Sequence, residues 1–249
     1  MAKKNQALAV AKQETGIVNG DWLEEMKQEA KDLAAKFTVS SSRISFKSDG
    51  NIYVGDNQVD NPLPVLIVAA AHENALYEGK FVPGKYTAPV CYAIGKDEAT
   101  MAPHPEAPKP QHANCKSCPL NQFGSSGKGK ACKNSVRLVA LPGTVTEADV
   151  ATAEAAQISI PPTSLNAWGS YVKGLRDAGM VPWATITHLM NAQFQTFFKV
   201  SFRPVTPITK EVWLGVKARQ ASFDETLLKP FSAAEAEAPA KQAKGKGKF

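Results

Sequence analysis

The chain has 249 residues, 43% of them hydrophobic and 8% aromatic, and its 29 Lys and Arg against 23 Asp and Glu give a net charge of +6. That length can bury a core as one large or two small domains. No run of 18 apolar residues occurs, which argues against a membrane-spanning helix, and the opening "MAKKNQALAVAKQETG" has no sustained apolar stretch, so neither membrane association nor a signal peptide is expected and the cytoplasm is the expected compartment.

In chain order, 1–19 reads as a loose lead-in. Asp21 is placed to cap a helix through about Lys36, with Trp22, Met26, Ala30, Leu33 and Ala34 on one stripe, so 1–40 forms a helical lead-in. "RISFKSDGNIYVGDN" alternates Ile44 and Phe46, turns at Asp49-Gly50 and resumes with Ile52 and Val54, the pattern of a hairpin. The first half of "LPVLIVAAAHENALYEGKF" reads as a buried strand, and "APVCYAIG" as a short strand ending at Gly95. Residues 96–134 break every periodic pattern with five prolines and three glycines. So long an irregular segment inside a domain calls for a local staple such as a metal.

"SVRLVAL" and "ISI" then read as strands. A helix follows, capped near Thr163 or Ser164, with Leu165, Trp168, Tyr171, Val172 and Leu175 on its apolar stripe and Gly179 at its stop. "VPWATITHLM" and "FQTFFKVSFRPV" read as an antiparallel pair, and Thr206-Pro207 as the start of a last helix. Residues 232–249 are low-complexity and basic and are expected to be disordered. The fold class is α+β and β-rich, with helices near both ends.

All four cysteines fall in one short region, spaced Cys91-x23-Cys115-x2-Cys118-x13-Cys132. Four thiolates satisfy a tetrahedral Zn2+ site, with the close pair supplying two ligands from one turn. His104 and His112 lie in the same loop, so a site with three cysteines and one of these histidines is the alternate set. An iron–sulfur cluster is the alternative cofactor, and Pro119 after Cys118 echoes some cluster motifs. Disulfides do not suit the expected compartment. The string from Gly124 to Lys130 matches part of a phosphate-binding loop, but Ala131 stands where the Mg2+-binding hydroxyl belongs and no strand precedes Gly124. No catalytic constellation stands out. His72 and His188 read as structural, the protein reads as a non-enzyme, and the metal reads as structural.

Between Glu106 and Glu147 there is no acidic residue, while Lys109, Lys116, Lys128, Lys130, Lys133 and Arg137 all fall there. A local surplus of that kind attracts polyanions. The segment 194–203 alternates a core face (Phe194, Thr196, Phe198, Val200, Phe202) with a wet face carrying Phe197, Lys199 and Arg203. Rings beside cations are what sequence-tolerant binders of single strands use. Arg43, Lys47 and Tyr53 repeat the mixture, as do Tyr77, Lys80, Lys85 and Tyr86.

The run from Leu76 to Leu175, and above all the string Cys-x2-Cys-Pro…Gly-Lys-Gly-Lys-Ala-Cys-Lys, resembles a group of bacteriophage proteins of mostly undefined role. In general plan the chain is also similar to zinc-containing phage single-stranded DNA-binding proteins. The resemblance implies an OB-like barrel or curved antiparallel sheet over 41–231, a zinc-stapled insertion at 92–135, and sequence-tolerant binding of single-stranded DNA in phage replication or recombination, in the host cytoplasm. Lys116, Lys128, Lys130, Lys133 and Arg137 are expected on the phosphates, with Phe197, Tyr77 or Tyr86 on the bases. Replication or host proteins are further expected partners; a regulator that grips RNA polymerase or a nuclease through the same loop is the alternative. The chain departs from such proteins in ending "KGKGKF" where they carry an acidic tail.

Overall fold

The computed structural model describes residues 43–47, 49–79, 87–193 and 198–231. The expected lead-in helix, the basic tail, and Lys80, Lys85, Tyr86 and Phe197 lie outside the described residues. The strands are β1 (Arg43–Phe46), β2 (Ile52–Val54), β3 (Asn57–Val59), β4 (Leu63–Leu76), β5 (Cys91–Gly95), β6 (Lys133–Pro142), β7 (Ala156–Ile160), β8 (Thr185–Gln193) and β9 (Phe198–Pro207). The helices are α1 (Leu165–Asp177), α2 (Lys210–Ala218) and α3 (Gln220–Leu228).

All nine strands join one sheet in the order β3-β2-β1-β7-β6-β4-β8-β9, with β5 on β4 as well. The fold is α+β and strand-rich, and the sheet curls into a half-barrel. The expected antiparallel sheet is in fact mixed, because β1 lies parallel to β7. That pairing joins segments far apart in the chain, which strand periodicity cannot foresee.

β4 organises the sheet. It pairs along one edge with β6, and its other edge is shared by β8 at Leu63–Leu66 and by β5 at His72–Leu76. The β4–β6 register slips between Ile67 and Ala69. An extra residue of this kind bends a strand and raises its twist. It also resets which side chains face which side: Val65 and Ile67 join the core on one face, while Leu66, Val68, Ala69 and Ala71 join the core on the other.

Each face has its own helices. Tyr171 and Leu175 of α1 pack with Val136, Leu138, Ile158 and Val200. Val212 and Val216 of α2, with Phe223 and Leu227 of α3, cover Leu66, Val139 and Leu141. The stripe expected for α1 is therefore the one it buries, and Gly179 ends the helix region in the left-handed conformation (φ 69°) that a residue without Cβ takes most readily. Ser164 does not cap α1 through its side chain; its Oγ accepts from the Val200 backbone N–H at 2.9 Å. The last helix does not start at Thr206-Pro207: β9 runs through Pro207, and Thr209 caps α2 by accepting from the Val212 N–H. Prolines are tolerated there because β9 ends the sheet. Among the described residues no helix is long and apolar enough to cross a membrane.

Candidate metal centre and nucleic-acid interface

The four cysteines converge at one end of β4. Cys91 opens β5 and pairs with Leu76, and Cys132 immediately precedes β6, whose first residue, Lys133, pairs with Ala75. The outer cysteines thus arrive on the two strands flanking β4. Cys115 and Cys118 come from the loop between β5 and β6, which is tied down by its own backbone: Cys115 N–H donates to Met101 O (2.8 Å) and Cys132 N–H to Leu120 O (2.9 Å). Pro119–Asn121 form a short 3-10 turn directly after Cys118.

All four cysteines line a single cavity of about 20 Å³, together with Asn74, Leu76, Asn121 and His112. All four are free thiols. They do not close on a common centre: among the described residues, no three Cys, His, Asp or Glu side chains meet as a metal-holding group. They are nevertheless close enough to act on one another. Burial, followed by the charges of Cys115, Cys91 and Cys118, pushes the Cys132 thiol up to about 12. Burial likewise raises Cys115, opposed by the Asn74 amide beside it and reinforced by Cys91 and Cys118. Four soft sulfur donors around one cavity are a donor set that a divalent thiophilic cation would suit.

The two alternate histidines differ. His104 does not line the cavity: it stacks on Tyr92 (5.1 Å between centroids) and its Nδ1 meets the Tyr92 hydroxyl at 3.2 Å. Adjacent strand residues point to opposite faces, so the Tyr92 side chain leads away from the face of Cys91. His112 does line the cavity, with Nδ1 held in a local turn near Asn114 O and N and Ser117 Oγ.

The glycine-rich string folds into a small hairpin. Ser126 and Gly129 exchange backbone hydrogen bonds at 3.1 and 3.2 Å, leaving Gly127-Lys128 as its tip. Gly124 and Gly127 take left-handed φ values of 91° and 62°. The chain then enters β6 and no helix follows, so the amides cradle the hairpin itself.

Lys116, Lys128 and Lys133 are exposed and Lys130 is half-buried. Beside them stands Phe123, 81% exposed, with Lys130 Nζ at 5.2 Å from its ring centroid. Sequence periodicity gives no sign of Phe123; the available signal is an aromatic placed between Cys118 and Cys132 in a lysine-rich loop. Tyr77, 42% exposed, follows Leu76 at the same end of β4.

Arg137 does not belong to this surface. It is buried, and its guanidinium donates to the Glu73 carboxylate and to the carbonyls of Leu227 and Lys229 at the end of α3. Lys199 and Arg203 lie elsewhere as well. Arg203 pairs with His188, which pairs with Pro64, at the opposite end of β4 from the cysteines. Leu76 lies twelve positions along β4 from Pro64, roughly 40 Å at about 3.3 Å per step. Lys199 is half-buried, and the Arg203 guanidinium meets His188 Nδ1 at 3.1 Å.

Compared with protein-family models, with curated proteins and with solved structures, the chain matches none.

Proposed function

We propose that this protein binds single-stranded DNA without strong sequence preference, through the loop clipped by its four cysteines. The observation that carries the reading is Phe123: a ring that is 81% exposed beneath the Lys130 ammonium, within the stretch 107–146 that holds no acidic residue and also presents Lys116 and Lys128. An exposed large apolar ring has no packing reason to be there, and a base stacked on it with lysines along the phosphates gives it one. Tyr77 and Lys133 extend the surface along the end of β4. Phage replication or recombination is the setting, and the curled sheet serves as an OB-like platform whose strand ends carry the binding loop.

In this reading Cys91, Cys115, Cys118 and Cys132 hold a structural Zn2+. Zinc would neutralise thiolate charge that the buried cavity otherwise penalises, and its ligation energy would add to the stability of the loop. The protein's own side chains then do the rest: the Ser126–Gly129 hairpin aims Lys128, and Phe123 offers its face.

The test is fluorescence anisotropy of a labelled oligothymidylate titrated with wild type and with Phe123→Ala. Loss of affinity in the variant supports the reading. Wild type that leaves the oligonucleotide free at low salt refutes it and favours recognition of a host protein by the same loop.

A further inference from the structure

We propose that Asn74 is the positioning residue of the cysteine centre, donating its Nδ2–H to the Cys115 sulfur when that sulfur is a metal-bound thiolate. The inference rests on the zinc reading above and extends it from the ligands to what orients them. Asn74 lies in β4, only 4% exposed, and lines the cavity with all four cysteines. Its Nδ2 is buried and has no hydrogen-bond partner. Buried amide groups without partners are rare in folded proteins, and each calls for an explanation such as an ion at the site.

The amide is not free to turn over. Its Oδ1 accepts from Asn134 Nδ2, which also donates to Asn121 Oδ1 at 2.8 Å, while Asn121 Nδ2 donates to the Cys115 carbonyl at 2.9 Å. Three asparagines, one each from β4, β6 and the loop, thus form a relay that fixes the oxygen of Asn74 toward Asn134 and leaves its nitrogen on the cavity side. The same relay grips Cys115 by its backbone.

Chemistry supplies the reason for a donor there. Four thiolates around one Zn2+ leave a net charge of about −2 in a largely buried site. A neutral N–H directed at sulfur offsets part of that charge without adding a competing ligand, and a charge-assisted hydrogen bond is stronger than a neutral one. Partners of this outer kind typically change metal affinity by about 10–100-fold when removed.

The experiment measures Zn2+ affinity of the full chain by competition with a chromophoric chelator, and the sulfur-to-cobalt charge-transfer band of the Co2+ form. Wild type, Asn74→Ala, Asn74→Asp and Asn121→Ala are compared. Asn74→Ala should bind Zn2+ about 10–100-fold more weakly. Its cobalt band should move to lower energy, because a sulfur lone pair without its hydrogen bond is easier to ionise. Asn74→Asp should bind at least as weakly, since a carboxylate repels thiolates. A role confined to folding would leave the cobalt band in place. Wild type that binds neither Zn2+ nor Co2+ removes the zinc reading and the inference with it. Wild type that binds while Asn74→Ala retains both affinity and band position overturns the inference alone. If Asn74→Ala does not fold, Asn121→Ala decides from the loop side, and unchanged affinity and spectrum there overturn the inference.

Discussion

Arg137 and Glu73 form a buried ion pair across the β4–β6 ladder, 64 residues apart in sequence, with Nε donating to Oε2 at 2.8 Å. Ser135 Oγ donates to the other carboxylate oxygen at 2.9 Å, so the acid is held from both sides. The guanidinium also reaches the carbonyls closing α3, where a cation opposes the negative end of the helix dipole. One arginine therefore ties two central strands to the C-terminal helix. Arg137→Ala should lower stability by about 3–5 kcal/mol, because it leaves the Glu73 carboxylate buried without its partner. Urea denaturation measures this. A drop below about 1 kcal/mol is what an exposed pair gives and would contradict the burial argument.

Phe123 is the opposite case, a ring that contributes little to the core. Phe123→Ala should leave the denaturation midpoint unchanged and weaken single-strand binding by about 1–3 kcal/mol, the usual worth of one stacked base. Phe123→Trp should keep the affinity. Equal affinity of wild type and Phe123→Ala would remove Phe123 from the interface.

Lysines act through phosphate charge and so are read by salt. Replacing Lys116, Lys128 or Lys130 singly with Ala should flatten the slope of log affinity against log salt by about 0.7 for each phosphate that the variant no longer neutralises. Arg137→Met, if it folds, should leave that slope unchanged, since its charge is buried. Anisotropy titrations at several salt concentrations separate the two groups.

Gly127 tests the hairpin. Its φ of 62° is left-handed, and a Cβ there would meet no atom within 4 Å. Gly127→Val should therefore act through backbone strain alone, roughly 1–2 kcal/mol, loosening the Ser126–Gly129 pair. Faster amide exchange at Ser126 and Gly129, with weaker DNA binding and an unchanged core, is the expected result. Unchanged exchange at both amides would show that the tip tolerates a side chain.

Much of the strand pattern is legible in the sequence because alternation reports burial directly. The Asp49-Gly50 hairpin, the buried start of β4 and the β8–β9 pair all follow from it. The parallel β1–β7 pairing is not, since nothing local encodes a partner more than 100 residues away. Arg137 reads as a surface cation because charge predicts exposure unless an opposite charge lies close by, and Glu73 is distant in sequence. The gathering of four cysteines into one stretch does anticipate their shared cavity, although which histidine stands beside it requires the register of β5. Phe123 carries no periodic signal because it sits in a loop, where side chains are placed by turns rather than by a repeating face.

The most direct test of the central claim is made on one sample. Metal content of the purified full chain is determined by elemental analysis, and single-strand binding is titrated before and after complete metal removal by chelation. The expected result is one zinc per chain and salt-sensitive binding that weakens markedly in the metal-free protein and returns when Zn2+ is restored. Equal DNA affinity with and without metal would contradict the account, because the loop would then hold Phe123 and its lysines in place without a metal.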